Sequence, residues 1–222
     1  MNDPNHISII KNLTKRVIKN IRKLVIGKKL NRMIAYQKEK LDNAICFFAI
    51  EHRRLSQKPL TQTYLYKYLA FLDFDMMEET GVPALDLEYK AMERGPVPIP
   101  LYNERHNKKT DLYEFKEQEG NIFTIEPKGT PNLDYFSDME KEKMVALVHK
   151  YAKRYSRTNE ICEDSHKQIL AWKRAFSQKK DSIIDNKLQF GGDILSKKEQ
   201  DLTRAEENYL TYMVLKSTSK CR

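Results

Sequence analysis

A chain of 222 residues, 40% hydrophobic and 32% charged, is long enough for one sizeable core and has an ordinary globular balance. No apolar run approaches the roughly 20 residues that a bilayer span requires, and three cysteines at unrelated spacings (Cys46, Cys162 and Cys221) argue against a disulfide framework. The formal net charge of +9 belongs to one place: residues 1–38 hold ten Lys or Arg against a single acid, Asp3, and the rest of the chain balances 30 bases with 30 acids.

The opening, MNDPNHISII, lacks the basic-then-apolar layout of a secretory signal, so a reducing, cytoplasmic setting is expected. Residues 9–26 then read as a basic amphipathic helix. Ile10, Leu13, Val17, Ile18, Ile21, Leu24 and Val25 fall within an arc of roughly 140° at 3.6 residues per turn. Lys11, Lys15, Arg16, Lys19, Arg22 and Lys23 occupy the opposite arc, and Gly27 is a stop or hinge.

A second helix is expected from about Leu30 to Leu55, broken by Ser56 to Pro59. A third starts near Thr61 or Thr63, either a candidate cap, and stops before Gly81. It is apolar all round and belongs at the centre of the core. Residues 81–103 mix turns with a short helix. Leu112–Phe115 and Asn121–Glu126 alternate around EQEGN as a small β-hairpin. Ser137 with Glu140 forms a capping-box pattern that opens a helix to about Tyr155. Helical pieces follow at 159–177, and Ser196 with Glu199 suggests a second box before a last helix, 197–215. With only 7 Gly and 8 Pro, the expected fold is mainly α (α+β): a compact helical domain with a small antiparallel β-hairpin, a basic N-terminal helix and a C-terminal helix. The expected boundaries are 1–29 for the arm, 30–178 for the domain and 179–222 for a C-terminal extension.

Three segments stand out: YLYKYLAFLDF at 64–74, Arg94-Gly95-Pro96-Val97-Pro98 followed by Leu101-Tyr102-Asn103, and Ser165-His166-Lys167-Gln168-Ile169-Leu170-Ala171-Trp172. In this order and at these separations they resemble the Panacea domain of SocA-like antitoxins from bacterial and phage toxin–antitoxin systems, over about residues 30–178. Ala70 and Ala171 depart from the usual tyrosine and proline of the pattern. The resemblance implies an antitoxin that neutralises a co-encoded toxin by direct protein–protein binding, with no enzymatic activity and no cofactor. The alternatives are a proteolytic adaptor that delivers a toxin to a cytosolic ATP-dependent protease, and a DNA-binding autoregulator using the basic arm.

Lys67 lies in an apolar helix and should reach solvent or pair with a carboxylate, Asp73 and Glu93 being the candidates; a lysine that snorkels over core surface is the plainer reading. Gly95 and Pro96 are expected to make a tight turn, after which Pro98 and Pro100 either present Leu101 and Tyr102 to a partner or only route the chain. His166 and Trp172 read as a hydrogen-bonded core pair or as a tie between two elements. The family-motif residues are thus Lys67, Asp73, Gly95, Pro96, Val97, His166 and Trp172. The candidate partner contacts are Lys11, Lys15, Lys19, Arg22, Tyr66, Lys67, Leu101 and Tyr102. Cys162 and His166, four apart, lack the further ligands of a zinc site. Asp73, Asp75, Glu78 and Glu79 read as a solvated acidic face, and no phosphate-binding or hydrolase motif accompanies them. For the arm, protein contact ranks first, nucleic acid second and an anionic membrane surface third.

Overall fold

The computed structural model describes residues 36–153, 158–191 and 193–219. The arm residues Lys11, Lys15, Lys19 and Arg22, and the start of the expected second helix, lie outside the described residues. Helix α1, Gln37–Ser56, ends where Gln57 turns into the left-handed region and its N–H reaches back to Arg53 O. The two-residue strand β1, Leu60–Thr61, leads directly into α2, Gln62–Thr80. Thr61 occupies the N-cap position in extended geometry, but its hydroxyl makes no capping bond. Every residue from Tyr64 to Phe74 is buried, so α2 is the central helix that its sequence predicts. Each of its large apolar side chains contributes about 1.5–3 kcal/mol of burial.

Residues 81–103 correct the expected turns. They hold a hairpin of β2, Tyr89–Met92, and β3, Gly95–Pro98, followed by the short helix α3, Ile99–Glu104. Gly95 begins β3 with φ +102° instead of forming the turn with Pro96. The turn itself is Glu93-Arg94. Pro96 and Pro98 are tolerated because β3 is an edge strand with no second partner to receive an N–H. The other side of β2 is taken by the C-terminal segment, where Asp181 N and Ile184 N donate to Ala91 O and Tyr89 O.

The expected hairpin is present as β4, Tyr113–Gln118, and β5, Ile122–Pro127. It joins β1 in a three-stranded antiparallel sheet of order β1-β5-β4. Tyr113, Phe115, Phe123 and Ile125 turn inward from it. Helix α4, Asp138–Ala152, carries the complete Ser137–Glu140 capping box. Glu140 also forms a buried ion pair with Lys40 of α1, Nζ to Oε1 at 2.6 Å. Helices α5, Thr158–Gln168, and α6, Leu170–Gln178, break at Ile169.

The last helix, α7, Arg204–Ser219, begins later than its sequence suggests. Ser196 spends its hydroxyl on Asp193 O, whereas Thr203 and Glu206 exchange the reciprocal bonds of a capping box. The N-terminal turn of α7 crosses the end of α2 at Gly81. There φ is +82° and a Cβ would lie 2.1 Å from Ala205 O. The fold is mainly α with a small antiparallel β component. No helix among the described residues is long and apolar enough to cross a membrane.

Candidate functional site

The three sequence segments converge on the side chain of Lys67. It leaves α2 toward the start of β3, is 1% exposed, and its Nζ donates to Pro96 O at 3.0 Å. Gly95 makes this approach possible: a Cβ there would stand 2.5 Å from Ser165 Oγ and 2.8 Å from Lys67 Nζ. Ser165, on α5, is fully buried and donates to Cys162 O at 2.7 Å. One turn of β-hairpin is thus clamped between α2 and α5 through a glycine that no side chain can replace without displacement.

This arrangement corrects two expectations. Lys67 neither snorkels to solvent nor pairs with Asp73 or Glu93; its hydrogen-bond acceptor is a backbone carbonyl. Burial pushes the ammonium down to about 8, opposed by nearby Cys162 and reinforced by Arg94. Asp73 works at a different place. It is buried and accepts from Leu85 N, Asp86 N, Leu87 N and Tyr89 Oη, pinning the loop before β2. Burial nonetheless raises its carboxyl to about 6 against the pull of those donors. Burial also raises Asp75 to about 6, so the acidic cluster on α2 is not uniformly solvated. Glu93 lies exposed in the hairpin turn.

His166 and Trp172 form the outer wall. Their rings stack at 4.0 Å and 7°, and Phe176 continues the ladder at 4.9 Å and 18° from Trp172. Trp172 Nε1 donates to Met92 O at 3.0 Å, tying α6 to the end of β2. His166 Nε2 is buried without a hydrogen-bond partner among the described residues, which departs from the expected hydrogen-bonded pair. Its burial, then the charge of Lys67, holds the imidazole below its ordinary range. Among the described residues no group of three His, Cys, Asp or Glu is arranged to hold a metal.

Of the candidate contact residues, Tyr66 and Leu101 are 4% and 1% exposed. Both therefore serve the interior and present no free surface. Tyr102 is half-buried, with the Arg105 guanidinium 4.0 Å from its ring. Val97 is half-buried opposite Lys90 in the hairpin. The β2–β3 hairpin was the element missed in the sequence, although Tyr89–Met92 alternates buried and half-buried positions as a half-buried strand should. The pairing of Lys40 with Glu140 had no sequence signal, since the partners are 100 residues apart.

The amine, hydroxyl, thiol and imidazole gathered here are chemically capable groups, but Lys67 and Ser165 are enclosed and bonded to backbone carbonyls. Their physical effect is to lock the hairpin. The exposed residues of the hairpin turn, of α5 and of α6 with its C-terminal end include Glu93, Arg94, Glu163, Lys167, Lys173 and Lys180, beside the half-buried Phe176.

Comparison with family models matches residues 65–173 to the family described as antitoxin SocA-like, Panacea domain. The match contains the junction of all three segments around Lys67. Comparison with curated proteins and with solved structures gives no match.

Proposed function

With residues 65–173 as a SocA-like antitoxin Panacea domain for premise, we propose that the chain is an antitoxin that neutralises a co-encoded toxin by direct protein–protein binding, without catalysing a reaction. The observation that supports this most is that the motif residues of the matched segment build one buried lock beneath a rigid, mostly basic face. A binding protein gains from such rigidity because less conformational entropy is lost on association. A catalytic use of Lys67 or Ser165 would require the enclosed junction to open.

The face we assign to the toxin is the Glu93-Arg94 turn with the exposed side of α5 and α6. Arg94, Lys167 and Lys173 supply charge that suits an acidic patch, and Phe176, backed by Trp172, supplies an aromatic anchor. The test is co-expression with the product of the adjacent open reading frame. Cells should survive that product only with this chain present. Arg94→Glu combined with Phe176→Asp should weaken the complex by about 2 kcal/mol or more and abolish protection while leaving the chain folded. Full protection by the folded double variant would remove this face from the account. Following the toxin's lifetime separates occupancy from delivery to a protease: an unchanged lifetime with full protection is the expected result.

A further inference from the structure

A second feature lies away from this face. Between α7, the start of β2 and residues 183–186 there is an open cleft of about 390 Å³. Its floor is apolar, formed by Leu87, Ile184, Tyr209 and Met213, and its rim carries Asp86, Glu88 and Asp185. Ile183 stands at the lip, 60% exposed, and extends the apolar floor to the edge of the cleft. Lys216 answers Asp86 and Lys187 answers Asp185, but the acidic side chains remain in the majority on the rim.

The described chain begins beside this cleft. Gln37 Nε2 donates to Leu85 O at 2.8 Å and to Asp86 O at 3.0 Å, so α1 is anchored by its first residue to the segment that forms the rim. The 35 residues before Tyr36 connect here, and with nine Lys or Arg against one acid they contain +8 of the net charge of +9. The aliphatic stripe of residues 9–26 is seven side chains long, with its bases on the opposite arc. The nine residues 27–35 span up to about 30 Å when extended, ample to return the end of that stripe to the cleft. A cleft of this size falls within the ~300–1,000 Å³ range of small binding pockets and suits the side chains of a single helical turn.

We propose that the cleft is the docking site of the chain's own N-terminal arm. The turn bearing Ile21, Leu24 and Val25 seats on the apolar floor, and Arg22 and the neighbouring lysines lie against Asp86, Glu88 and Asp185. Helix-in-groove recognition of this type reads apolar anchors at i, i+3 and i+4, the spacing those three residues have. The charge complementarity sets the orientation, and the short tether keeps the local concentration of the arm high. The protein then has two separate surfaces: a cleft occupied by itself, and the α5–α6 face left open.

The experiment uses the full-length chain with Cys221→Ser. One variant adds Leu24→Cys and Ile183→Cys; a control adds Leu24→Cys and Val145→Cys, since Val145 is also exposed, at 45%, but lies on α4. Under mild oxidation the first pair should close an intramolecular disulfide about tenfold or more faster than the control, and adding Glu88→Lys should slow it. Equal rates for the two pairs would show a freely roaming arm and overturn the proposal. Disulfide-linked dimers as the main product would assign the arm to a second copy and overturn it equally. A first pair that stays reduced, with its cleft thiol open to a maleimide, would leave the cleft to another ligand and also overturn it. None of these readouts involves a toxin, so each stands apart from the antitoxin reading.

Discussion

Lys67 shows how a residue can be conspicuous in a sequence while its partner is not. Its placement in an apolar helix announced an unusual environment, but the acceptor is a carbonyl made available by Gly95 and Pro96, 29 positions away, and no charge pattern reveals a backbone oxygen. The consequence is measurable. Burial lowers its pKa from the ordinary 10.5 to about 8, so between those values the unfolded chain binds more protons than the native one. Stability should therefore rise with pH across that window, and below about pH 8 the full penalty is present, on the order of 3 kcal/mol. Lys67→Met keeps the bulk and removes the charge. The wild type should gain on this variant by about 2 kcal/mol between pH 7.5 and 10 in urea unfolding; a constant difference would contradict the burial. Gly95→Ala tests the other half of the junction. It combines a side chain at φ +102° with contacts of 2.5 and 2.8 Å, and should cost about 2–4 kcal/mol in thermal or urea unfolding. Ser165→Ala in the same chain should recover part of that loss by removing the nearer atom.

At the scale of elements, long periodic segments were legible and local signals were ambiguous. The central burial of α2 follows from eleven consecutive residues with no polar face wide enough to meet solvent, and the capping box at Ser137 was read in place because an apolar run follows it at once. The same logic misplaced the start of α7. Ser196-x-x-Glu199 and Thr203-x-x-Glu206 both fit the box, and packing decides between them: Gly81 gives room to the turn at Ala205 and Asn208, so the helix nucleates there. Thr203→Ala should therefore cost about 1 kcal/mol, whereas Ser196→Ala should stay within about 0.5 kcal/mol; denaturant midpoints of the two variants check this. The β2–β3 hairpin was hidden for the opposite reason. Two prolines in four residues argue against a strand unless it is an edge, and edge status is a property of the assembled sheet.

For the molecule as a whole, the order of three short segments pointed to a family because they are one structure: α2, the hairpin and α5–α6 meet only when all three are present. What the sequence could not convey is that several motif side chains are inward-facing. Lys67, Gly95 and Trp172 hold the scaffold, and the contacts we propose for the toxin, Arg94, Lys173 and Phe176, are neighbours of these residues that retain solvent exposure. The segment 181–184, read as an extension, pairs with β2 and so shares the core. The most direct test of the account is stoichiometric inhibition in purified components: the adjacent open reading frame's product, assayed for its toxic activity while this chain is titrated in. Loss of activity that is complete at a fixed molar ratio, together with co-elution of both chains, is the predicted result. Undiminished activity in the presence of a large excess of folded chain would contradict it.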